Sequence, residues 1–387
     1  MSPKIGERQN AHKDLHSERG ALPGEHTGRS RNPVIKVLDI AWLEFEKPDL
    51  ARAAAFARAF GFQTAQHGAE ELQFRGTDAG TPCVIVRLGS LSKGTGQRTR
   101  FAGVAFRAHD EVDVLRLADK IGAPARPLPD SIGGLSVDLV DPTGIPVRVV
   151  AGMHELPELP SQQPHTFNFG HHRQRVNTTQ RPPRLPARVQ RLGHLVLQST
   201  KYRETLNWYL DNLGMIVSDF LFFPGQRTRG PTMSFIRCDQ GSTPTDHHTL
   251  AIALGPANRY VHSAYQVSDL DALAAGGEYL RERGYFRSWG IGRHIQGSQI
   301  FDYWRDSDGL LVEHFADGDV FDNTVEPGWA AFTASGLAQW GPPATRDFLG
   351  TAPKAARHEL ISMITALRAS NEFDTRHLIG LLKVPTS

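Results

Sequence analysis

The sequence predicts an α+β fold in which each half of the chain contains two copies of a β-α-β-β-β unit. Residues 37–62 and 189–215 have the same pattern: a short alternating apolar strand, a polar break, and then a helix. Each of these helices is predicted to end at a glycine, Gly61 or Gly214, because glycine readily adopts the left-handed conformation that ends a helix.

The later parts of the two halves also match each other. Residues 101–122 and 260–284 both read as strand, turn and helix. Residues 139–150 and 303–315 each contain an Asp-x-x-Gly turn that leads into a final strand. These correspondences predict that the two halves have the same architecture.

Length and composition restrict the class of protein. A chain of 387 residues exceeds what one hydrophobic core usually organises, so we expect two domains with additional tails. The net charge is +2 and the basic residues are dispersed, which argues against nucleic acid as a partner. The two cysteines, Cys83 and Cys238, are far apart, there is no apolar leader segment, and no run reaches the ~20 apolar residues of a membrane helix. A reduced, cytoplasmic compartment is therefore expected.

Breaks in the apolar pattern predict the domain boundaries. Residues 1–33 hold almost no apolar side chains and are predicted to be a disordered tail. The first patterned half covers 34–153, a linker rich in Pro, Gln and Arg covers 154–188, and the second half covers 189–325. Residues 326–387 are interpreted as an extension that is partly helical.

Three strand positions of the second half carry side chains that can bind a metal, whereas the first half has other residue types there. The three residues are His194, His262 and Glu313. Their counterparts in the first half are Trp42, either Gly103 or Val104, and Arg148. Two neutral imidazoles and one carboxylate form the ligand set that holds Fe(II) on one face and leaves positions open for substrate and dioxygen. A single strand histidine is more often a core residue, but the three coincident differences favour a metal site.

With these residues, the second half resembles the catalytic domain of type I extradiol ring-cleavage dioxygenases, in the vicinal oxygen chelate superfamily. The first half resembles the non-catalytic domain of that family, and the resemblance covers about residues 36–325. It implies two tandem vicinal-oxygen-chelate domains. It also implies that the strands "GHLVL", "VHSAYQV" and "LLVEHF" provide His194, His262 and Glu313 as ligands of Fe(II), with Mn(II) as the alternative metal.

The same resemblance implies further residues around the metal. The family places a catalytic histidine about 14 residues before the second metal histidine, and "DHHTLAIA" supplies His248 at that interval before His262. His294 and Tyr303 are nine residues apart, and Tyr303 precedes Glu313 by ten, as in the family. His248 would stabilise charge that develops on dioxygen and deliver a proton, while His294 and Tyr303 would orient a substrate oxygen.

The activity that the resemblance implies is extradiol cleavage of a catecholic compound by insertion of O2 beside the vicinal diol, in aromatic catabolism. The expected partners are the catechol and O2, without nucleic acid or membrane, and a homo-oligomer is expected. Two departures from the family pattern leave the identity of the aromatic substrate undetermined. Gly297 replaces an acidic residue found in several biphenyl-type members, and "GSTPTD" lengthens the loop before His248.

Alternatives to this function and to individual roles remain. The chain could be a glyoxalase-like isomerase or a non-catalytic binding protein of the same superfamily. His247 reads as a structural or surface residue, and Tyr303 alone could be a core aromatic residue. Other side chains are interpreted as follows: Trp289 and Trp304 as packing residues, His171 and His172 as solvated, Arg293 as solvated or facing a substrate carboxylate, and Phe220, Phe222, Phe223 and Phe235 as pocket lining or strand core.

Overall fold

The computed structural model describes residues 17–89 and 99–386, and its regular elements are mostly strands. In chain order the strands are β1 (Glu18–Arg19), β2 (Val37–Lys47), β3 (Gln63–His67), β4 (Glu71–Arg75), β5 (Val84–Leu88), β6 (Arg100–Ala108), β7 (Ala125–Pro127), β8 (Leu135–Val140), β9 (Pro146–Ala151), β10 (Arg191–Ser199), β11 (Ile216–Phe222), β12 (Met233–Arg237), β13 (Thr245–Asp246), β14 (Leu250–Leu254), β15 (Arg259–Gln266), β16 (Phe286–His294), β17 (Ile300–Arg305), β18 (Leu311–Ala316), β19 (Val320–Phe321), β20 (Gly328–Ala331) and β21 (Ala338–Trp340).

The helices of the described residues are α1 (Leu50–Phe60), α2 (Glu111–Ile121), α3 (Tyr202–Leu213), α4 (Leu270–Glu282), α5 (Pro353–Arg368) and α6 (Thr375–Lys383). Aspartate side chains at positions 49, 110 and 269 accept hydrogen bonds from backbone N–H groups in the first turns of α1, α2 and α4 and so begin these helices. None of the helices in this part of the chain is long and apolar enough to cross a membrane.

The strand order confirms the repeated unit. The first sheet has the order β3-β4-β5-β2-β6-β9-β8-β7, so that each β-α-β-β-β unit closes with a parallel pair, β2 with β5 and β6 with β9. The second sheet contains β11-β12-β14-β10-β15-β18-β17-β16 in the same arrangement, with parallel pairs β10 with β14 and β15 with β18. The predicted α+β fold of tandem paired units is therefore confirmed.

Buried contacts fix the two halves against each other. The ring of Phe60, at the end of α1, stacks on the ring of His314 in β18 with centroids 3.7 Å apart. His314 Nε2 lies 2.7 Å from the Phe60 carbonyl oxygen, to which it donates. Lys47 of β2 is buried and pairs with Asp306 and, at 3.1 Å, with Asp308 in the turn before β18. A buried charge needs such partners, so the turn after β17 is held to the first half.

The predicted disorder of residues 1–33 is wrong for residues 17–33, and residues 1–16 lie outside the described part of the chain. Strand β1 pairs with β20, and Arg29 bridges to Ile216. Arg227 holds this segment through Glu18 at 2.8 Å and Glu25 at 2.9 Å. The prediction counted apolar side chains, but backbone hydrogen bonds and ion pairs hold this N-terminal arm, residues 17–33, on the second half.

The segment 326–387 contributes to the second sheet instead of lying apart from it. Strands β20 and β21 extend the two ends of the sheet, whose full order is β1-β20-β11-β12-β14-β10-β15-β18-β17-β16-β21. Helices α5 and α6 follow and leave apolar side chains exposed, among them Leu360, Ile361 and Leu382. The homo-oligomer expected from the sequence remains a prediction.

The end of α1 provides a test of how closely the first half packs against the linker. Gly61 has a φ of 110°, and a Cβ there would lie 1.6 Å from the carbonyl oxygen of Ala187. Gly122 ends α2 with a φ of 73°, but nothing lies within 4 Å of its Cβ position. Replacing Gly122 by Ala should cost roughly 1 kcal/mol of unfolding free energy from backbone strain alone, whereas Gly61→Ala should cost several times more because the backbones must separate. Denaturant unfolding of both variants measures this difference, and equal losses would contradict the close approach.

Candidate metal centre

The three predicted ligands lie on three neighbouring strands of the second sheet. His194 in β10 faces Ala264 in the central strand β15, and Ala264 in turn faces Glu313 in β18. His262 lies two residues before Ala264 on the same strand, so its side chain points to the same face of the sheet. The small side chain of Ala264 leaves room between the three polar groups. The structure thus brings together His194, His262 and Glu313, as the sequence predicts.

The geometry of these groups fits a bound cation. Glu313 Oε2 lies 3.2 Å from His194 Nε2 and 3.3 Å from His262 Nε2, and the three ligand atoms lie within 4.8 Å of one another. The exposed fractions of His194, His262 and Glu313 are 2%, 7% and 0%. Neither carboxylate oxygen of Glu313 has a hydrogen-bond partner. Because an unpaired buried carboxylate is costly, this donor set suits a divalent metal.

Electrostatic effects shift the pKa values of two of these groups, Glu313 and His262. Burial alone raises the pKa of Glu313, but the imidazoles of His194 and His262 outweigh it and hold the pKa of this carboxyl well below its usual range. Burial lowers the pKa of His262, although Glu313 opposes this shift. An ionised carboxylate and neutral imidazoles are the forms that donate electron pairs to a metal.

The sheet register shows whether Gly103 or Val104 is the counterpart of His262 in the first half. In the second half, His262 lies opposite the residue two positions after His194. In the first half, the residue two positions after Trp42 lies opposite Gly103. The same irregularities in pairing occur before and after these positions in both sheets. Gly103 is therefore the counterpart of His262.

The first half fills the equivalent position with ion pairs instead of metal ligands. Glu44 Oε1 accepts hydrogen bonds from Trp42 Nε1 at 3.0 Å and from Arg148 Nη1 at 2.9 Å. Its other oxygen accepts from Arg87 Nη1 at 2.5 Å. Arg148 replaces the carboxylate of the second half, and Gly103 replaces one of its histidines. The equivalent position of the first half therefore lacks these two metal ligands and carries a positively charged side chain instead.

His248 lies beside the three ligands. Its ring centroid is 4.1 Å from that of His194, and the ring of Phe235 is 5.0 Å away. Burial, followed by the charges of neighbouring imidazoles, lowers the pKa of His248 well below its usual value. His248 Nδ1 is 3.0 Å from His247 Nδ1, and His247 Nε2 is 2.7 Å from Asp219 Oδ2. His248 is thus the inner member of a buried hydrogen-bonded chain.

His294 and Tyr303 form a second hydrogen-bonded group near Glu313. His294 Nδ1 lies 2.8 Å from the carbonyl oxygen of Leu337, and His294 Nε2 lies 2.9 Å from Tyr303 Oη. The carbonyl can only accept, so Nδ1 carries the hydrogen, and in the neutral ring Nε2 accepts from the Tyr303 hydroxyl. Tyr303 pairs directly with Glu313 across β17 and β18, and burial, followed by the Glu313 charge, raises its pKa well above the usual value.

The C-terminal segment closes around Tyr303. Phe348 packs against Tyr303 with ring centroids 4.8 Å apart and against Trp289 at 4.5 Å. Trp289 stacks on Tyr303 at an interplanar angle of 11° and donates from Nε1 to the carbonyl of Pro342 at 2.9 Å. Leu337, which fixes His294, belongs to the same segment. Residues beyond 325 therefore build part of the site, which the sequence interpretation did not anticipate.

Other residues singled out in the sequence take varied positions. Gly297, with a φ of 79°, lies against His247, where a Cβ would be 3.0 Å from Nδ1, so it makes room for that ring. Arg293 donates to Asp317 at 2.8 Å and to the Ser298 carbonyl at 2.6 Å. Most of the remaining residues are buried or exposed as follows: Trp289, Trp304, Phe220 and Phe223 are buried, Phe222 is partly buried against the core, and His171 and His172 are exposed.

Asp219 and His247 were not recognised from the sequence as part of this group. Both are buried, which excludes the surface interpretation of His247. A signal for Asp219 was present, because an aspartate in the apolar strand "IVSDFLF" needs a partner. The partner could not be identified, since it lies 28 residues later in the chain.

Comparisons of sequence identify proteins that are similar to this chain. The family model of the Glyoxalase/Bleomycin resistance protein/Dioxygenase superfamily matches residues 191–314. Over 310 residues the chain is 30% identical to Metapyrocatechase 2 of Cupriavidus necator, covering 79% of this chain and 89% of that protein. Over 159 residues it is 24% identical to an iron-dependent extradiol dioxygenase of Rhodococcus jostii, covering 39% and 50% of the two chains.

The fold also matches a solved structure, the Mn(II)-bound glyoxalase from Novosphingobium aromaticivorans. The TM-score is 0.65, and the match covers 81% of this chain and 94% of that one. At 22% identity this likeness concerns the fold alone.

The donor set predicts how much metal the chain binds. Loading the full chain with a divalent metal without oxygen should give about one ion per chain, as expected for one facial set of ligands. Glu313→Gln should lose most of the metal, because the anionic ligand is removed, whereas Glu44→Gln at the equivalent position of the first half should keep it. Elemental analysis after desalting measures the content. Two ions per chain, or full loading of Glu313→Gln, would contradict the assignment.

Proposed function

The chain belongs to the extradiol dioxygenases of the Glyoxalase/Bleomycin resistance protein/Dioxygenase superfamily, and on this premise we propose that it uses Fe(II) and O2 to cleave a catechol ring beside the vicinal diol. The observation that carries this proposal is the convergence of His194, His262 and Glu313 around one position. Two histidines and a carboxylate on one face are typical of non-haem Fe(II) oxygenases. When bound, Fe(II) supplies a common site for both diol oxygens and O2 and a path for electrons between them.

Tyr303 and His294 are proposed to hold one substrate oxygen. Because the Tyr303 hydroxyl donates to His294 Nε2, the lone pairs of Tyr303 Oη remain available to accept a hydrogen bond from a catechol hydroxyl. Leu337 fixes the His294 ring, and the aromatic rings of Trp289 and Phe348 fix the Tyr303 ring. These rigid contacts favour one orientation of the diol.

His248 is proposed to exchange a proton with the reacting oxygens from the other side. Its ring lies over His194, and its Nδ1 is engaged by His247. Nε2 is therefore the ring nitrogen left for substrate or dioxygen. Burial excludes bulk water as a competing proton donor, so His248 can act as the general acid-base group of the site.

The proposal also covers the metal, the substrate, the assembly and the domain division. We propose Fe(II), in keeping with the ligand set and with the name of the iron-dependent Rhodococcus relative, and Mn(II) as the alternative metal to load. The substrate is a catecholic aromatic compound, and the assembly is a homo-oligomer. The proposed domain division places the non-catalytic domain at 34–153, the linker at 154–188 and the catalytic domain at 189–325.

The proposed reaction is tested with the full chain loaded with Fe(II) in the absence of air. Adding catechols to aerated buffer should consume one O2 per catechol and give a ring-opened product that absorbs visible light. A sample in which the metal has been removed by a chelator is the control. Isomerisation of a hemithioacetal without oxygen uptake would indicate a glyoxalase-like enzyme instead, and catechol binding without turnover would indicate a binding protein.

The roles of the two neighbouring histidines predict opposite behaviour of their variants. His262→Ala should lose most of the iron, because a ligand is removed. His248→Gln should retain iron and bind catechol nearly as well, but turn over ~10²-fold more slowly if proton transfer is its task. Iron content, KM for catechol and kcat distinguish the two. A His248 variant without iron beside a His262 variant with iron would mean that the roles are exchanged.

A further inference from the structure

We propose that Asp219 and His247 form a positioning pair that holds His248 in the tautomer with hydrogen on Nδ1, so that His248 Nε2 enters the reaction as a hydrogen-bond acceptor. This inference rests on the proposed function and adds to it, because it assigns a task to two residues outside the set implied by the family resemblance.

The three residues form a continuous buried chain. Asp219 Oδ2 is 2.7 Å from His247 Nε2, and His247 Nδ1 is 3.0 Å from His248 Nδ1. The exposed fractions of Asp219, His247 and His248 are 2%, 1% and 3%. The two imidazole rings are nearly perpendicular, at 88°, so they meet through their nitrogens and do not stack.

The direction of each hydrogen bond follows from the chemistry of the end group. An aspartate carboxylate only accepts, so His247 Nε2 must carry the hydrogen of the first bond. A neutral His247 then has a lone pair on Nδ1 and accepts from His248 Nδ1–H. In a neutral His248 the other nitrogen, Nε2, has no hydrogen and can only accept.

Asp219 uses both carboxylate oxygens. Its Oδ1 is 3.4 Å from the guanidinium of Arg19, so Oδ2 is the oxygen that faces His247 Nε2. In a neutral imidazole this bond places the hydrogen on Nε2 and leaves the lone pair on Nδ1.

The surroundings keep the His247 ring in this orientation. The Ser218 hydroxyl donates to the backbone carbonyl of His247 at 2.6 Å, and the His247 amide donates to the Asp319 carbonyl at 2.8 Å. Gly297 packs against one part of the ring, where even a Cβ would be 3.0 Å from Nδ1. The backbone of His247 is therefore fixed at its carbonyl and its amide, and Gly297 leaves little free space beside the ring.

One substitution should reverse the tautomer without changing the shape of the site. In Asp219→Asn, the amide oxygen should face Arg19, which only donates, and the amide NH2 should then face His247 Nε2. His247 would carry its hydrogen on Nδ1, and His248 would be left with hydrogen on Nε2. A purely structural role of Asp219 predicts no such reversal.

The tautomer can be read independently of activity. The full chain labelled with 15N-histidine and loaded with diamagnetic Zn(II) gives ring nitrogen signals, and those of His248 are identified by their loss in His248→Gln. We expect hydrogen on Nδ1 of His248 in the unaltered chain and on Nε2 in Asp219→Asn. Hydrogen on Nε2 in the unaltered chain, or an unchanged tautomer in Asp219→Asn, would overturn the inference.

Kinetics of the Fe(II)-loaded chain provide the second readout. Asp219→Asn should keep its iron and its KM for catechol while kcat falls by about 10-fold or more, as expected when a proton acceptor is mispositioned. The matched control is Asp319→Asn, which removes a carboxylate from the cavity that both aspartates line and leaves the His247 ring contacts intact. Equal kcat values for the two variants would contradict the inference. Failure of the proposed function would appear separately, as an unaltered chain without ring cleavage whose tautomer can still be read.

Discussion

The burial of one carboxylate determines the organisation of the second half. Glu313 lies on β18, fully buried and without a hydrogen-bond partner on either oxygen, and a buried carboxylate at this depth needs compensation by a cation or by polar neighbours. The parallel pairing of β15 with β18 and the antiparallel pairing of β10 with β15 bring His262 and His194 to the same place. The other residues of the site are arranged around this centre, Tyr303 directly across from Glu313 and His248 over His194.

The two halves have the same backbone arrangement at the centre of the sheet but carry different side chains there. Each has the same irregular pairing at the centre of its sheet, which turns side chains of adjacent strands toward one point. In the second half the converging groups are metal ligands. In the first half Glu44 takes hydrogen bonds from Trp42, Arg87 and Arg148, so the charge is balanced within the protein. This difference explains why, among residues 17–89 and 99–386, the candidate centre lies in the second half, where no arginine pairs with the carboxylate.

Both ends of the described chain reach the residues around the centre. Arg19, in the N-terminal arm, lies beside Asp219, and Asp219 holds His247. Leu337, in the C-terminal segment, fixes the His294 ring, and Phe348 covers Tyr303. A hydrogen bond to a backbone carbonyl or to a carboxylate sets which nitrogen of a histidine carries the hydrogen. The C-terminal segment therefore fixes the tautomer of His294, and the N-terminal arm contacts the carboxylate that bonds His247, although neither segment supplies a proposed ligand.

The sequence alone determined the repeated α+β architecture and the residues that converge. Strand periodicity can be read within each segment, and the contrast between the halves can be read by aligning them. The sequence could predict Gly61 as a helix end and His194, His262 and Glu313 as a group. Only the tertiary structure decided that Gly103 is the counterpart of His262, since register depends on pairing between strands. Likewise, the bond from Asp219 to His247 and the order of the N-terminal arm depend on contacts between residues distant in the chain, which no periodicity records.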